Sequence, residues 1–202
     1  MIEISIDQPE LIMTCLEEGM VGVLPTDTVY GLACLPTRPD AIEHIYHIKG
    51  RPKTFNLPIF ADSLHTIRNL GLIVDDKVKR IAHSPLVPGA ITMVLEVNKK
   101  RCPDWLAGRE EAAVRIPAND FILDLVRQLG PLLCTSANKH GSKVDNRSYE
   151  AVIDDLPQFN GFTVSAGDLE RINSTIVNCR TEKVTLEREG AVPFSEVEKL
   201  FQ

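Results

Sequence analysis

No stretch of this 202-residue chain is apolar for long enough to cross a membrane. Its start, Met1-Ile2-Glu3-Ile4, has neither the basic residues nor the apolar centre of a secretory signal. No two of its five cysteines, Cys15, Cys34, Cys102, Cys134 and Cys179, form a Cys-x-x-Cys pair, so neither a zinc ribbon nor a disulfide framework is indicated. These absences predict a cytoplasmic protein in a reducing compartment, with no membrane partner. The standard phosphate loops are missing too: there is no Walker A run, no Rossmann glycine fingerprint and no Gly-x-Ser-x-Gly elbow. His44 and His47 share a helix face but lack the Glu of a zincin motif, so they read as surface histidines. An excess of positive charge is also absent. The net charge of −6 argues against broad, charge-driven nucleic-acid binding but leaves room for a local basic cleft that takes a small anion. With no internal repeat and no Gly/Ser linker, residues 1–202 are expected to form one domain.

What is present is an alternation of strands and helices. Ile2, Ile4 and Ile6 alternate with polar residues, which predicts a half-buried strand over 2–6. Pro9 opens a helix to Glu18 with Leu11, Ile12, Cys15 and Leu16 on one face. The run 20–24 reads as a short buried strand, stopped by Pro25. A helix over 40–49 ends in Gly50-Arg51-Pro52. Further strands are predicted at 57–61, 91–97, 112–116, 131–134, 162–165, 174–179 and 183–187, and further helices at 63–70, 75–83, 120–129, 148–155 and 195–201. The sum is an α/β fold: one twisted, mixed β-sheet with helices packed against it, partly antiparallel where the C-terminal strands follow closely. The polar, basic stretch 139–147 reads as a mobile loop, and Lys99-Lys100-Arg101 as a solvated turn.

Several polar groups fall at strand or helix ends. Pro25-Thr26-Asp27-Thr28-Val29-Tyr30-Gly31-Leu32 leaves a strand, where open α/β sheets bind ligands, and Gly31 would allow a turn there; capping chemistry is the alternative. Lys49 and Arg51 flank a helix end and suit phosphate, or else compensate the helix dipole. Thr135-Ser136-Ala137-Asn138 ends a strand with a hydroxyl and an amide that suit phosphate oxygens, or else form a turn. Arg115, inside an apolar strand, must line a cleft or be paired internally with one of the 28 acidic residues. Ser174-Thr175 and Arg188-Glu189-Gly190 are either site residues or an ordinary cap and surface charge.

Taken in order, Pro25–Leu32, Lys49-Gly50-Arg51-Pro52, Pro88-Gly89-Ala90-Ile91-Thr92, Val114-Arg115-Ile116-Pro117, Thr135–Asn138, Ser174-Thr175-Ile176-Val177 and Arg188-Glu189-Gly190-Ala191 resemble the YrdC family of threonylcarbamoyl-AMP synthases over about 20–192. The chain resembles the short form that lacks an extra C-terminal domain. The resemblance implies a deep, positively lined concave cleft and a reaction of L-threonine, bicarbonate and ATP to threonylcarbamoyl-AMP and pyrophosphate. It implies ATP and carbamate held by Lys49, Arg51, Ser136 and Asn138 as the catalytic set, with Arg188 against the nucleotide. It implies threonine held by Arg115, Thr28, Ser174 and Cys134. Mg²⁺ is expected on the triphosphate through phosphate and water oxygens rather than on protein ligands. The expected partners are a downstream threonylcarbamoyl-transferase complex, which modifies the tRNA adenosine next to the anticodon, and weak contact with tRNA itself. The loop 139–147 is expected to close over ATP as a lid. The sequence departs from the family pattern at Asn56, His140, Lys143 and Asn178. The alternative is a YrdC-like RNA-binding or ribosome-maturation protein that makes no adenylate.

Overall fold

In the computed structural model, residues 1–52, 56–157 and 159–202 are described. In chain order the elements are β1 (Ile2–Glu3), α1 (Pro9–Glu17), β2 (Gly22–Leu24), β3 (Gly31–Cys34), α2 (Pro39–Lys49), β4 (Ile59–Phe60), α3 (Leu64–Asn69), α4 (Asp76–Ala82), β5 (Ile91–Glu96), β6 (Glu111–Arg115), α5 (Asp120–Leu129), β7 (Leu132–Ser136), α6 (Tyr149–Asp155), β8 (Phe162–Thr163), β9 (Thr175–Asn178), β10 (Thr185–Arg188) and α7 (Phe194–Glu198). Local chemistry sets many of these boundaries. Proline occupies the start of α1 and of α2, where its missing N–H costs nothing. Ser63, Asp75 and Asn119 cap α3, α4 and α5 by accepting backbone N–H bonds from Thr66, Val78 and Ile122.

The strands form one mixed sheet in the order β1-β8-β2-β3-β7-β4-β6-β5-β9-β10. β8 runs parallel to both β1 and β2, β4 to β6, and β5 to β9; the other neighbours are antiparallel. Successive strand residues point to opposite faces, and both faces are covered. Leu24, Ala33, Phe60 and Cys134 pack with Ile12 and Leu16 of α1 and Ile122, Leu125 and Val126 of α5. Val23, Leu32, Ile59 and Leu133 pack on the other side with Ala41 and Ile45 of α2, Ile67 of α3, Val78 of α4 and Val152 of α6.

The predicted α/β class and mixed sheet are what the structure has, with five local differences. The first strand is two residues long and sits at the sheet edge with β8 alone as neighbour, which leaves Ile2 exposed; Ile6 is exposed too, and only Ile4, which follows the strand, is buried. Leu11 lies on the solvent side of α1. The residues just after the polar stretch form β3, a central strand absent from the sequence reading. The strand predicted at 162–165 is not beside the other C-terminal strands but at the opposite end of the sheet. Finally, the 139–147 loop is pinned at both ends. Asp155 accepts from Lys139 N and the Ser142 hydroxyl, and Asn146 O accepts from Tyr30 N.

Candidate active site

Strand ends from most of the sheet converge on one cavity of about 160 Å³. Arg51, Arg115 and Arg188 line it, with Thr26, Thr28, Thr92, Cys134, Ser136 and Ser174. Arg115 ends β6 and is almost sealed from solvent. Its Nε donates to Gly89 O at 2.9 Å and its NH1 to Thr28 Oγ1 at 2.9 Å, and it lies 5.6 Å over the Phe60 ring. Its NH2 is 2.8 Å from Asp27 Oδ2 but poorly aligned for a hydrogen bond, so this contact is an ion pair by distance. Burial pushes the Arg115 pKa down and Asp27 opposes the shift. Of the two readings of an arginine in an apolar strand, both hold: it has an internal acid and it lines a cleft.

The loop between β2 and β3 is built around two threonines. Thr26 Oγ1 donates to Val29 O at 2.7 Å and accepts from Thr28 N at 3.1 Å; the two hydroxyls are 3.1 Å apart. Because the Thr26 proton is committed to Val29, Thr28 donates to Thr26 and accepts from Arg115. One lone pair of Thr28 remains. Gly31 does not make a turn. It sits in β3, where an added Cβ would lie 2.5 Å from Cys134 Sγ. The glycine is required by the approach of β7, not by an unusual backbone angle.

On the far side, Ser174 Oγ and Thr92 Oγ1 are 2.8 Å apart, and Arg188 NH2 donates to Ser174 O at 2.7 Å. Gly190 permits this: its Cβ would fall 2.2 Å from Asn173 O. Arg188 has its pKa lowered by burial and then by the like charges of Arg115 and Arg51. Three guanidinium groups lining one cavity, two of them acting on the third, make a local anion site in a chain of net charge −6.

Lys49 meets the site through backbone carbonyls. It does not line the cavity; its Nζ donates to Ser136 O at 2.6 Å and Asn138 O at 2.8 Å, while its own carbonyl accepts from His140 N. It therefore staples the turn that carries Ser136 and Asn138. Burial, then Arg51, lowers its pKa to about 8. Asn138 donates its Nδ2 to Lys139 O, and its buried Oδ1 has no partner among the described residues. In that orientation Oδ1 suits a hydroxyl or an N–H, not a phosphate oxygen. The Cys134 thiol, pushed up to about 12 by burial, stays protonated at neutral pH and is no nucleophile.

Asp27, Thr92 and Phe60 belong to the site and were not singled out from the sequence. Thr92 had a signal, a hydroxyl in the apolar run 91–95; Asp27 gained its meaning only from Arg115, 88 positions away. Among the described residues, no group of three or more His, Cys, Asp or Glu side chains could hold a metal, and no helix is long and apolar enough to cross a membrane.

The sequence model of the Sua5/YciO/YrdC family, described as "Telomere recombination", matches residues 14–190. The chain belongs to this family. A threonylcarbamoyl-AMP synthase of Bacillus subtilis (strain 168) is 29% identical over 201 residues, covering 97% of this chain and 58% of that one. Another, from Pseudoalteromonas translucida (strain TAC 125), is 37% identical over 134 residues, 64% of this chain and 70% of that one. The Sua5/YciO/YrdC fold is equally plain in solved structures. Pyrococcus abyssi Sua5 complexed with L-threonine superposes with a TM-score of 0.87 at 26% identity, covering 98% of this chain and 60% of that one. Escherichia coli YciO superposes at 0.80 with 23% identity, a likeness of fold, covering 95% of this chain and 96% of that one. The chain thus spans less than two thirds of the B. subtilis relative and of P. abyssi Sua5.

Proposed function

We propose that this chain makes threonylcarbamoyl-AMP and pyrophosphate from L-threonine, bicarbonate and ATP. The observation that carries the reading is the meeting of Arg51, Arg115 and Arg188 with paired hydroxyls in one cavity, beside a Cys134 thiol that stays protonated. Supporting it are the names of the B. subtilis and P. translucida relatives and the threonine held by P. abyssi Sua5.

The chemistry asks the protein for positioning and charge neutralisation. The threonine amine attacks the carbon of bicarbonate and water leaves, or attacks the carbon dioxide that bicarbonate releases and a proton leaves; either way the carbamate forms. A carbamate oxygen then attacks the α-phosphorus of ATP, and the bond to the pyrophosphate breaks. After its hydrogen bonds to Gly89 and Thr28, Arg115 retains N–H groups on its terminal nitrogens for the threonine carboxylate. The bond between Ser174 and Thr92 uses one of two hydroxyl protons and leaves the other for threonine. Arg51, Arg188 and the Ser136 hydroxyl would hold phosphates, and Asn138 Oδ1 would accept from the carbamate N–H or a ribose hydroxyl. Lys49 would act by holding the Ser136–Asn138 turn. ATP enters as its magnesium complex, with the ion on phosphate and water oxygens. The enclosed space is small beside the roughly 300–1,000 Å³ of typical ligand sites, so the nucleoside would extend along the open cleft toward the 139–147 loop. The product would pass to a separate transferase acting on tRNA.

The test is incubation with ATP, L-threonine and labelled bicarbonate. The expected result is equimolar pyrophosphate and labelled adenylate; the absence of both overturns the reading. Salt-dependent RNA binding without adenylate would favour an RNA-binding role instead.

A further inference from the structure

The three cavity arginines have unequal surroundings. Arg188 leans on a neutral carbonyl and faces the like charges of Arg115 and Arg51. Arg115 stands beside a carboxylate, with both side chains nearly sealed from solvent: 4% exposed for Arg115 and 6% for Asp27. Asp27 Oδ2 also accepts from Ala118 N at 3.0 Å, which ties it to the segment after β6. Asp27 Oδ1 has no hydrogen-bond partner among the described residues. Asp27 also borders a second chamber of about 280 Å³, which Arg171 lines as well and which shares Thr26 with the arginine cavity. A buried carboxylate left half-satisfied costs stability.

Two anions compete for these arginines if the reading above is right, and this inference rests on that reading. A triphosphate carries several negative charges, whereas an amino acid is a zwitterion with no net charge. By Coulomb attraction alone the phosphates would occupy every guanidinium, and the amino acid would be displaced. Beside Arg115 the sum is different. At 2.8 Å the Arg115–Asp27 pair is close to neutral as seen from a distance, and its field is that of a dipole. A polyanion approaching Arg115 meets a fixed like charge, while a carboxylate in contact still finds the remaining N–H groups.

We propose that Asp27 is a positioning and selecting residue: it fixes the plane of Arg115 and cancels its long-range charge, so that polyphosphate settles at Arg51 and Arg188 and the amino-acid carboxylate settles on Arg115. Specificity here comes from what is repelled as much as from what is bound.

Calorimetry on the full chain tests this, with L-threonine and inorganic tripolyphosphate as probes. Wild type should bind both together, each leaving the affinity of the other within about twofold. Asp27→Asn keeps the size and the acceptor for Ala118 N but removes the charge. It should weaken threonine by about tenfold and make tripolyphosphate compete with it, a pattern that a purely structural role would not produce. Should that variant fail to fold, Asp27→Glu keeps the charge and moves it by one methylene; threonine should weaken without competition appearing. Competition in wild type or in Asp27→Glu overturns the inference, as does an Asp27→Asn variant that binds threonine normally. Wild type that does not bind threonine at all overturns the amino-acid reading itself, and this inference with it.

Discussion

Gly31 of β3 leaves the space that the Cys134 thiol of β7 fills. A Cβ there would sit 2.5 Å from the sulfur, inside a strand pair that is buried up to the half-buried Ser136 at its end. Gly31→Ala should therefore destabilise the fold by about 1–3 kcal/mol, the usual cost of overpacking. Adding Cys134→Ala should recover most of that loss in a double-mutant cycle read by denaturant unfolding. Additive losses would show that the glycine serves something other than this contact.

Lys49 predicts a pH dependence. Its folded pKa, about 8, lies below the usual 10.5, so between those values the unfolded chain binds more protons at this site than the folded one. Stability then rises with pH across that window, and below about pH 8 the buried ammonium is a standing cost. Compared with Lys49→Met, wild type should gain stability between pH 7.5 and pH 9.5. The same substitution leaves Ser136 O and Asn138 O without their donor and should lower turnover by loosening that turn. Parallel pH curves would mean that Lys49 titrates normally.

Arg188 repels its neighbours before a ligand arrives. Arg188→Gln should raise the KM for ATP by about tenfold or more while leaving that for threonine nearly unchanged. Its unfolding midpoint should stay level or rise, since a like-charge contact is relieved. A fall in both substrate affinities together would assign Arg188 to the frame of the cavity.

Thr28 is buried, and its hydroxyl accepts from Arg115. Thr28→Ala leaves an N–H of the guanidinium unpaired at the amino-acid end. The KM for threonine should rise about tenfold, more than that for ATP, and Thr28→Ser should restore it. Equal effects on both substrates would make Thr28 a structural residue.

The sequence made the repeating pattern of helices visible because their signals are local: proline at the start of α1 and glycine after α2. It also brought out Arg115, because a cation in an apolar strand has no neutral explanation. It did not reveal β3: Leu32, Ala33 and Cys34 follow a polar run with no alternation to mark them, and only the neighbours β2 and β7 make them a strand. It could not show that the Lys49 ammonium donates to two carbonyls, since those carbonyls lie 87 and 89 positions away. Asp27 was hidden by its company, lying among threonines that already explained a polar loop.

The order of strands bears on when the cavity comes into being. Ile2 of β1 is paired with Phe162, and the cavity needs side chains from positions as far apart as Thr28, Arg115 and Arg188. Such long-range closures are slow to find. The anion site is incomplete until β9 docks beside β5 and β10 beside β9, bringing Ile176 and Arg188 to the cavity. Anion binding is thus a property of the assembled sheet rather than of any one segment.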